Sequence, residues 1–159
     1  MTEDEISENE WRGRLIRYAP LVLWTALVLG LSTGQASMEE TSLIIRPILK
    51  FLFPTAPDVT LNLYHGYIRK LAHFTEYAVL AFLGLRAVAG WSTDRLRRAS
   101  LLITVLFVAV IASIDEYHQS FVPSRTSSFW DVLLDISGGA FAVFLCWVAG
   151  RTKRVENGG

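Results

Sequence analysis

Four long apolar runs set what this chain can fold into: Tyr18 to Ser32, Ile68 to Ala89, Ala99 to Ile114 and Trp130 to Gly150. A hydrocarbon core about 30 Å thick is crossed by about 20 helical residues. The second and fourth runs meet that length, while the first and third sit near its lower limit. Isolated strands leave their backbone groups unsatisfied in lipid, so all four runs read as helices. The expected fold is therefore all-α, an integral membrane four-helix bundle. Composition agrees, because 52% hydrophobic residues in 159 is too apolar for an ordinary soluble domain. The formal net charge is zero. With no basic field and no recognition motif, nucleic acid is excluded as a partner. The single cysteine, Cys146, lies in an apolar run and has no partner for an internal disulfide.

Lys and Arg give the orientation. Arg12, Arg14 and Arg17 precede the first run, Arg86, Arg95, Arg97 and Arg98 cluster around the second connection, and Arg151, Lys153 and Arg154 follow the fourth run. In a four-helix topology these clusters fall on one side, which the positive-inside rule assigns to the cytoplasm. Arg46, Lys50, Arg69, Lys70 and Arg125 lie on the other side, in longer connections and mixed with acids. The expected organisation is a cytoplasmic tail over 1–17, one membrane domain over 18–150 with spans about 18–32, 68–89, 99–114 and 130–150, and a cytoplasmic tail over 151–159. A secretory signal is the alternative for the first run, given its Arg-rich start and Gly34-Gln35-Ala36 after the apolar core.

The first outer connection, from Met38 to Gly66, is long for a linker. Its apolar stretch, from Leu43 to Phe53, is interrupted by Arg46, Pro47 and Lys50 and is too short to span. It reads as an additional interfacial helix, ended by Pro54 and Pro57, with basic residues toward headgroups. A hydrophobic loop packed on the bundle is the alternative.

The ionisable residues of the apolar runs gather at particular ends. Lys70, His73 and Glu76 lie near the start of the second run, Asp115 and Glu116 at the end of the third, and Asp131 and Asp135 near the start of the fourth. Each costs about 2.5–3.5 kcal/mol at membrane depth on insertion scales, so such groups face one another or a watery cavity. The arginine-based topology, assigned without reference to them, brings all of these ends to the outer face. At about 100° per residue, Lys70, His73 and Tyr77 share a stripe, as do Asp115, His118 and Gln119. The small residues Ser137, Gly138, Gly139 and Ala140 allow the last helix to approach a neighbour closely. Tyr77, Trp91 and Trp130 read as interface anchors.

The candidate acid–base or polar-site residues are therefore His73, Glu76, Asp115, Glu116 and Asp131, with Lys70, Gln119 and Arg125 as candidate ligand-binding residues. Lys70 and Arg125 supply fixed positive charge for a phosphate or carboxylate. His73 exchanges a proton near neutral pH. No Ser-His-Asp or Cys-His arrangement is evident. No cofactor is expected. The pairs His73 with Glu76 and Asp115 with His118 resemble ligand pairs on a helix, a weak signal for a divalent metal. The opposing reading is a buried ion-pair network that only holds the helices together.

At these residues the chain resembles the VanZ-like family of small bacterial membrane proteins. The resemblance runs through Lys70-Leu-Ala-His73-Phe74-Thr-Glu76-Tyr77, then Asp115-Glu116-Tyr-His-Gln119-Ser-Phe121-Val-Pro123-Ser-Arg125, then Asp131 and the pair Gly138-Gly139. Asp135 is a departure, since the family pattern often has asparagine there. The resemblance implies a multi-pass protein of the bacterial inner membrane. The family takes its name from a member linked to teicoplanin resistance, which does not by itself make this chain a determinant of antibiotic resistance. The expected partner is a membrane lipid or lipid-linked envelope precursor, held in an outer-leaflet pocket through its anionic headgroup, with or without turnover. A structural or regulatory membrane protein is the alternative. A proton-coupled transporter fits less well, because few ionisable groups line the inner half of the helices.

Overall fold

The computed structural model describes residues 3–31, 38–88, 94–121 and 128–156, with side chains over 11–31, 41–88, 99–121 and 128–150. It contains α1 (Glu3–Leu31), α2 (Met38–Leu52), α3 (Asp58–Val88), α4 (Asp94–Gln119) and α5 (Phe129–Glu156), and no strand among the described residues. Four segments are long and apolar enough to cross a membrane: Trp11–Leu31, Asp58–Val88, Ala99–Gln119 and Phe129–Gly150. The fold is an all-α integral membrane bundle of four spans with a fifth, shorter helix between the first two.

Three spans run further than hydropathy predicts, and the first of them starts at Trp11 rather than Tyr18. The second span begins at Asp58 rather than near Ile68, and the third continues to Gln119 rather than stopping at Ile114. Hydropathy registers apolar residues only, whereas the added turns are polar and still helical. The Pro57 carbonyl accepts the first helical bond of α3, from Leu61 N–H at 3.2 Å, and an acid in the first turn, Asp58, suits the positive end of the helix. At 31 residues, α3 is about 46 Å long, well beyond a hydrocarbon core of about 30 Å. The excess at its start carries His65, Gly66, Arg69 and Lys70.

The contacts fix relative directions. Arg86 donates to the Ile16 carbonyl and Trp24 Nε1 to the Glu76 carbonyl, so α1 runs antiparallel to α3. Tyr77 meets Asp115 and Gly84 meets Thr104, so α4 is antiparallel to α3. Lys70 meets Asp131 and His73 meets Asp135, so α5 runs parallel to α3. This alternation places the start of α3, the end of α4 and the start of α5 at one end of the bundle.

The spans do not contribute equally. α3 packs most extensively on α5 and then on α4, α4 also packs on α5, and α1 lies against α3 with a thin contact to α4. The core is Tyr77, Leu80, Ala81, Val108, Ile111, Ala112 and Val143, joined by Val28 of α1. The outer faces are apolar: Leu102, Leu106 and Val110, one turn apart on α4, are each more than half exposed, as is Phe144 on α5. Such stripes suit lipid and would be an aggregation liability in water.

Two glycines set how closely α5 approaches. A Cβ at Gly138 would overlap the Phe74 carbonyl of α3, and one at Gly139 would meet Val108 Cγ1 of α4 at 2.7 Å. Small residues at a helix crossing are how membrane helices bring their backbones together.

α2 continues through Pro47 to Leu52, and Phe53 N–H closes its last turn on Leu49. It is amphipathic: Leu49 is buried, while Ile44, Ile48, Phe51 and Leu52 face outward. Arg46 is engaged by Asp58 at 2.8 Å, and Thr41 Oγ1 lies 3.0 Å from His65 Nε2. Both contacts fasten α2 to the first turns of α3.

Candidate functional site

The polar side chains stack in three tiers where α3, α4 and α5 converge. In the deepest tier, Tyr77 Oη donates to Asp115 Oδ2 at 2.9 Å, and Gln119 Nε2 donates to the same oxygen at 3.0 Å. Tyr77 has no exposed surface, so it is a buried donor rather than an interface anchor. A phenol on the inward stripe of α3 meets a carboxylate one bundle layer away, and its hydroxyl is satisfied there. Trp130, in contrast, is exposed, and Trp91 lies outside the described residues.

In the middle tier, His73 Nδ1 of α3 lies 3.5 Å from Asp135 Oδ1 of α5. Glu116 of α4 joins them: one potential ligand atom of each of the three residues lies within 4.8 Å of the others. Asp135 is fully buried and Glu116 nearly so. Glu116 Oε2 accepts Ser128 N–H at 3.2 Å. Ser128 also starts α5: its hydroxyl accepts Trp130 N–H, and its carbonyl accepts Asp131 and Val132 N–H. This N-cap ties the first turn of α5 to the last turns of α4.

In the outermost tier, Lys70 Nζ lies 3.4 Å from Asp131 Oδ1, with side chains 59% and 24% exposed. A pair this open contributes little to stability, so a ligand can compete with Asp131 for the ammonium.

A cavity of about 130 Å³ opens between these tiers, lined by Arg69, Lys70, His73, Glu116, Gln119 and Asp131. On the same measure a water needs about 10–15 Å³, so there is room for several waters or a small polar group. A second cavity, of about 140 Å³, lies on the α1–α2 side of His73 and Gln119 and includes Thr41, His65, Arg69, Glu76 and Asp115. His73, Glu76, Asp115, Glu116, Asp131, Lys70 and Gln119 thus all line one or both cavities. Arg125 lies outside the described residues. His118 is exposed while Asp115 is buried, so that pair does not converge on one ion.

Four further residues belong to this region. Arg69 lines both cavities, and its spacing of four residues before His73 carried that signal. His65 is buried against Thr41, hidden from a reading that began the span at Ile68. Asp135 of α5 is the partner of His73, and Tyr77 of α3 that of Asp115. The arrangement offers cationic groups at the mouth, an imidazole between two buried carboxylates behind them, and a hydrogen-bonded carboxylate at the base.

The sequence model of the VanZ/LLP1 family matches residues 16–150. No curated protein and no solved structure matches the chain significantly.

Proposed function

The chain belongs to the VanZ/LLP1 family, and from the cleft its helices build we propose that it binds, through a phosphate, an anionic lipid headgroup or a lipid-linked envelope precursor. The reading is carried by one observation: Arg69, Lys70 and His73 meet the acids of α4 and α5 around a cavity at one end of a bundle whose outer faces are apolar. A headgroup reaches such a cavity from the surrounding lipid while its chains stay against the outer faces. Lys70 and Arg69 recognise the phosphate, and His73, Glu76, Asp115, Glu116 and Asp131 hold or move protons if the bound group is modified. Gln119 orients Asp115.

The site end faces the outer leaflet of a bacterial inner membrane, with both termini in the cytoplasm, on the strength of the arginine distribution. A glycopeptide-susceptibility role would follow only if the bound precursor is the one such antibiotics address.

The test is lipid retention. Chain purified from membranes in mild detergent is expected to carry phospholipid, detected by native mass spectrometry, and the double substitution Arg69→Ala with Lys70→Ala is expected to strip it. Equal retention by the folded double variant would defeat the proposal.

The second reading, a purely structural network, is favoured by the contacts that join α3 to α4 and α5. It predicts that Glu76→Gln is tolerated unless it loosens the fold, whereas the binding reading predicts altered lipid retention at unchanged membrane levels.

A further inference from the structure

Asp135 is the polar group the lipid reading leaves unexplained. It has no exposed surface, yet neither carboxylate oxygen has a hydrogen-bond partner among the described residues. Its contact with His73 Nδ1, at 3.5 Å, is longer than a hydrogen bond, and that nitrogen is likewise without a hydrogen-bond partner among them. A buried carboxylate in this condition is costly unless a positive charge meets it. Arg69 and Lys70 line the cavity, but Lys70 is engaged by Asp131 at the mouth.

We propose that His73, Glu116 and Asp135 form a binding site for one divalent metal ion of the Zn2+ class at the floor of the cleft. The donors come from three different helices, and one atom of each lies within 4.8 Å of the others. Two ligands on a tetrahedral Zn2+, each at about 2.0–2.1 Å, stand about 3.3 Å apart. The His73–Asp135 separation of 3.5 Å is already close to that, and Glu116, with an atom within 4.8 Å of both, would supply the third ligand. The two carboxylates balance the charge of the dication. One of the three, Glu116, is itself held by a hydrogen bond from Ser128 N–H, as metal ligands commonly are. An imidazole among the donors favours Zn2+ over Mg2+ and Ca2+. His73 and Glu116 line the cavity, so the remaining coordination position faces it, toward Lys70 and Arg69. A phosphate oxygen or a water would occupy that position. The site does not depend on the lipid reading: a chain that holds Zn2+ but no phospholipid keeps the site and loses the function proposed above.

The experiment uses tag-free, full-length chain in phosphatidylcholine nanodiscs, stripped with chelator, loaded with Zn2+ and desalted. One Zn2+ per chain is expected by mass spectrometry of the metal. Asp135→Asn and Glu116→Gln are each expected to weaken Zn2+ binding at least about tenfold. His118→Ala, on the exposed face, is expected to leave it unchanged. Should both ligand variants fail to fold, X-ray absorption at the zinc edge of the wild-type chain decides: it should show an N/O shell at about 2.0–2.1 Å that includes one imidazole. No retained Zn2+ in the folded wild type, a shell without imidazole, or undiminished binding by folded Asp135→Asn would each overturn the site.

Discussion

Gly138→Ala should open the site by pushing two helices apart. An added Cβ would overlap the Phe74 carbonyl and stand 3.0 and 3.1 Å from the Phe74 carbonyl carbon and Cα. Carbon atoms pack best at about 3.5–4.0 Å, so α3 and α5 must part by about 0.5–1 Å. The obstacle is backbone inside a helix and cannot rotate away, unlike the end of a flexible side chain. Overpacking of this kind costs about 1–3 kcal/mol, and the rigidity of Phe74 places Gly138→Ala toward the upper end. The same movement carries His73 away from Asp135, now 3.5 Å apart, and Lys70 away from Asp131. The control is Gly66→Ala, in the same bundle end, where a Cβ meets nothing within 4 Å. There the change should be neutral or stabilising by up to about 1 kcal/mol, from helix propensity. Reversible unfolding in mixed micelles reads both variants, and lipid retention reads the site. A Gly138→Ala chain as stable as Gly66→Ala, with full retention, would refute close α3–α5 packing as the basis of the site.

Tyr77→Phe removes a hydroxyl that donates to Asp115 at 2.9 Å. Polar contacts between membrane helices average about 0.6 kcal/mol and reach about 1.7, and burial places this one near the top; a loss under about 0.5 kcal/mol in the same unfolding assay would argue against it. Trp24→Phe removes the bond from α1 to the Glu76 carbonyl, 3.0 Å long, and should cost about 1 kcal/mol. Because α1 is the least buried span, the loss should appear as faster proteolysis of α1, with α3–α5 still intact. Asp131→Asn breaks an exposed pair with Lys70, so stability should move by less than about 1 kcal/mol. Its phospholipid retention should rise as Lys70 is released; a fall would reassign Asp131 to the ligand. For orientation, in a Cys146→Ser background, a membrane-impermeant thiol reagent on intact cells should label Thr126→Cys and spare Asp94→Cys. The reverse pattern would invert the topology.

The spans and the common end of their ionisable residues were legible in the sequence for one reason. Lipid imposes long apolar runs, and an up-and-down path then dictates which ends meet. Helix starts were less legible, because nothing in hydropathy marks the polar turns Asp58 to Tyr67 as helical; Pro57 and the contacts from Thr41 and Arg46 of α2 do so only in three dimensions. Partners within the site depend on helix rotation and register. Gly138, Gly139 and the Gly84–Thr104 contact set that register, so His73 with Asp135 and Tyr77 with Asp115 could be placed on inward stripes but not paired. By residue type Tyr77 reads as an interfacial aromatic, whereas its spacing of four from His73 puts it on the inward stripe where it is buried. Glu116 could not be placed by periodicity alone, being offset from Asp115 by one residue; in the fold it is buried and accepts the Ser128 N–H.

A high-resolution structure of the chain in native lipid would look directly into the space between Arg69, Lys70, His73 and Glu116. A phosphate-bearing headgroup there, with acyl chains running along the outer faces of α3 and α5, is the expected result. A cleft closed and dry, its polar groups paired only with one another, would contradict ligand binding and leave the convergence of these side chains as scaffold.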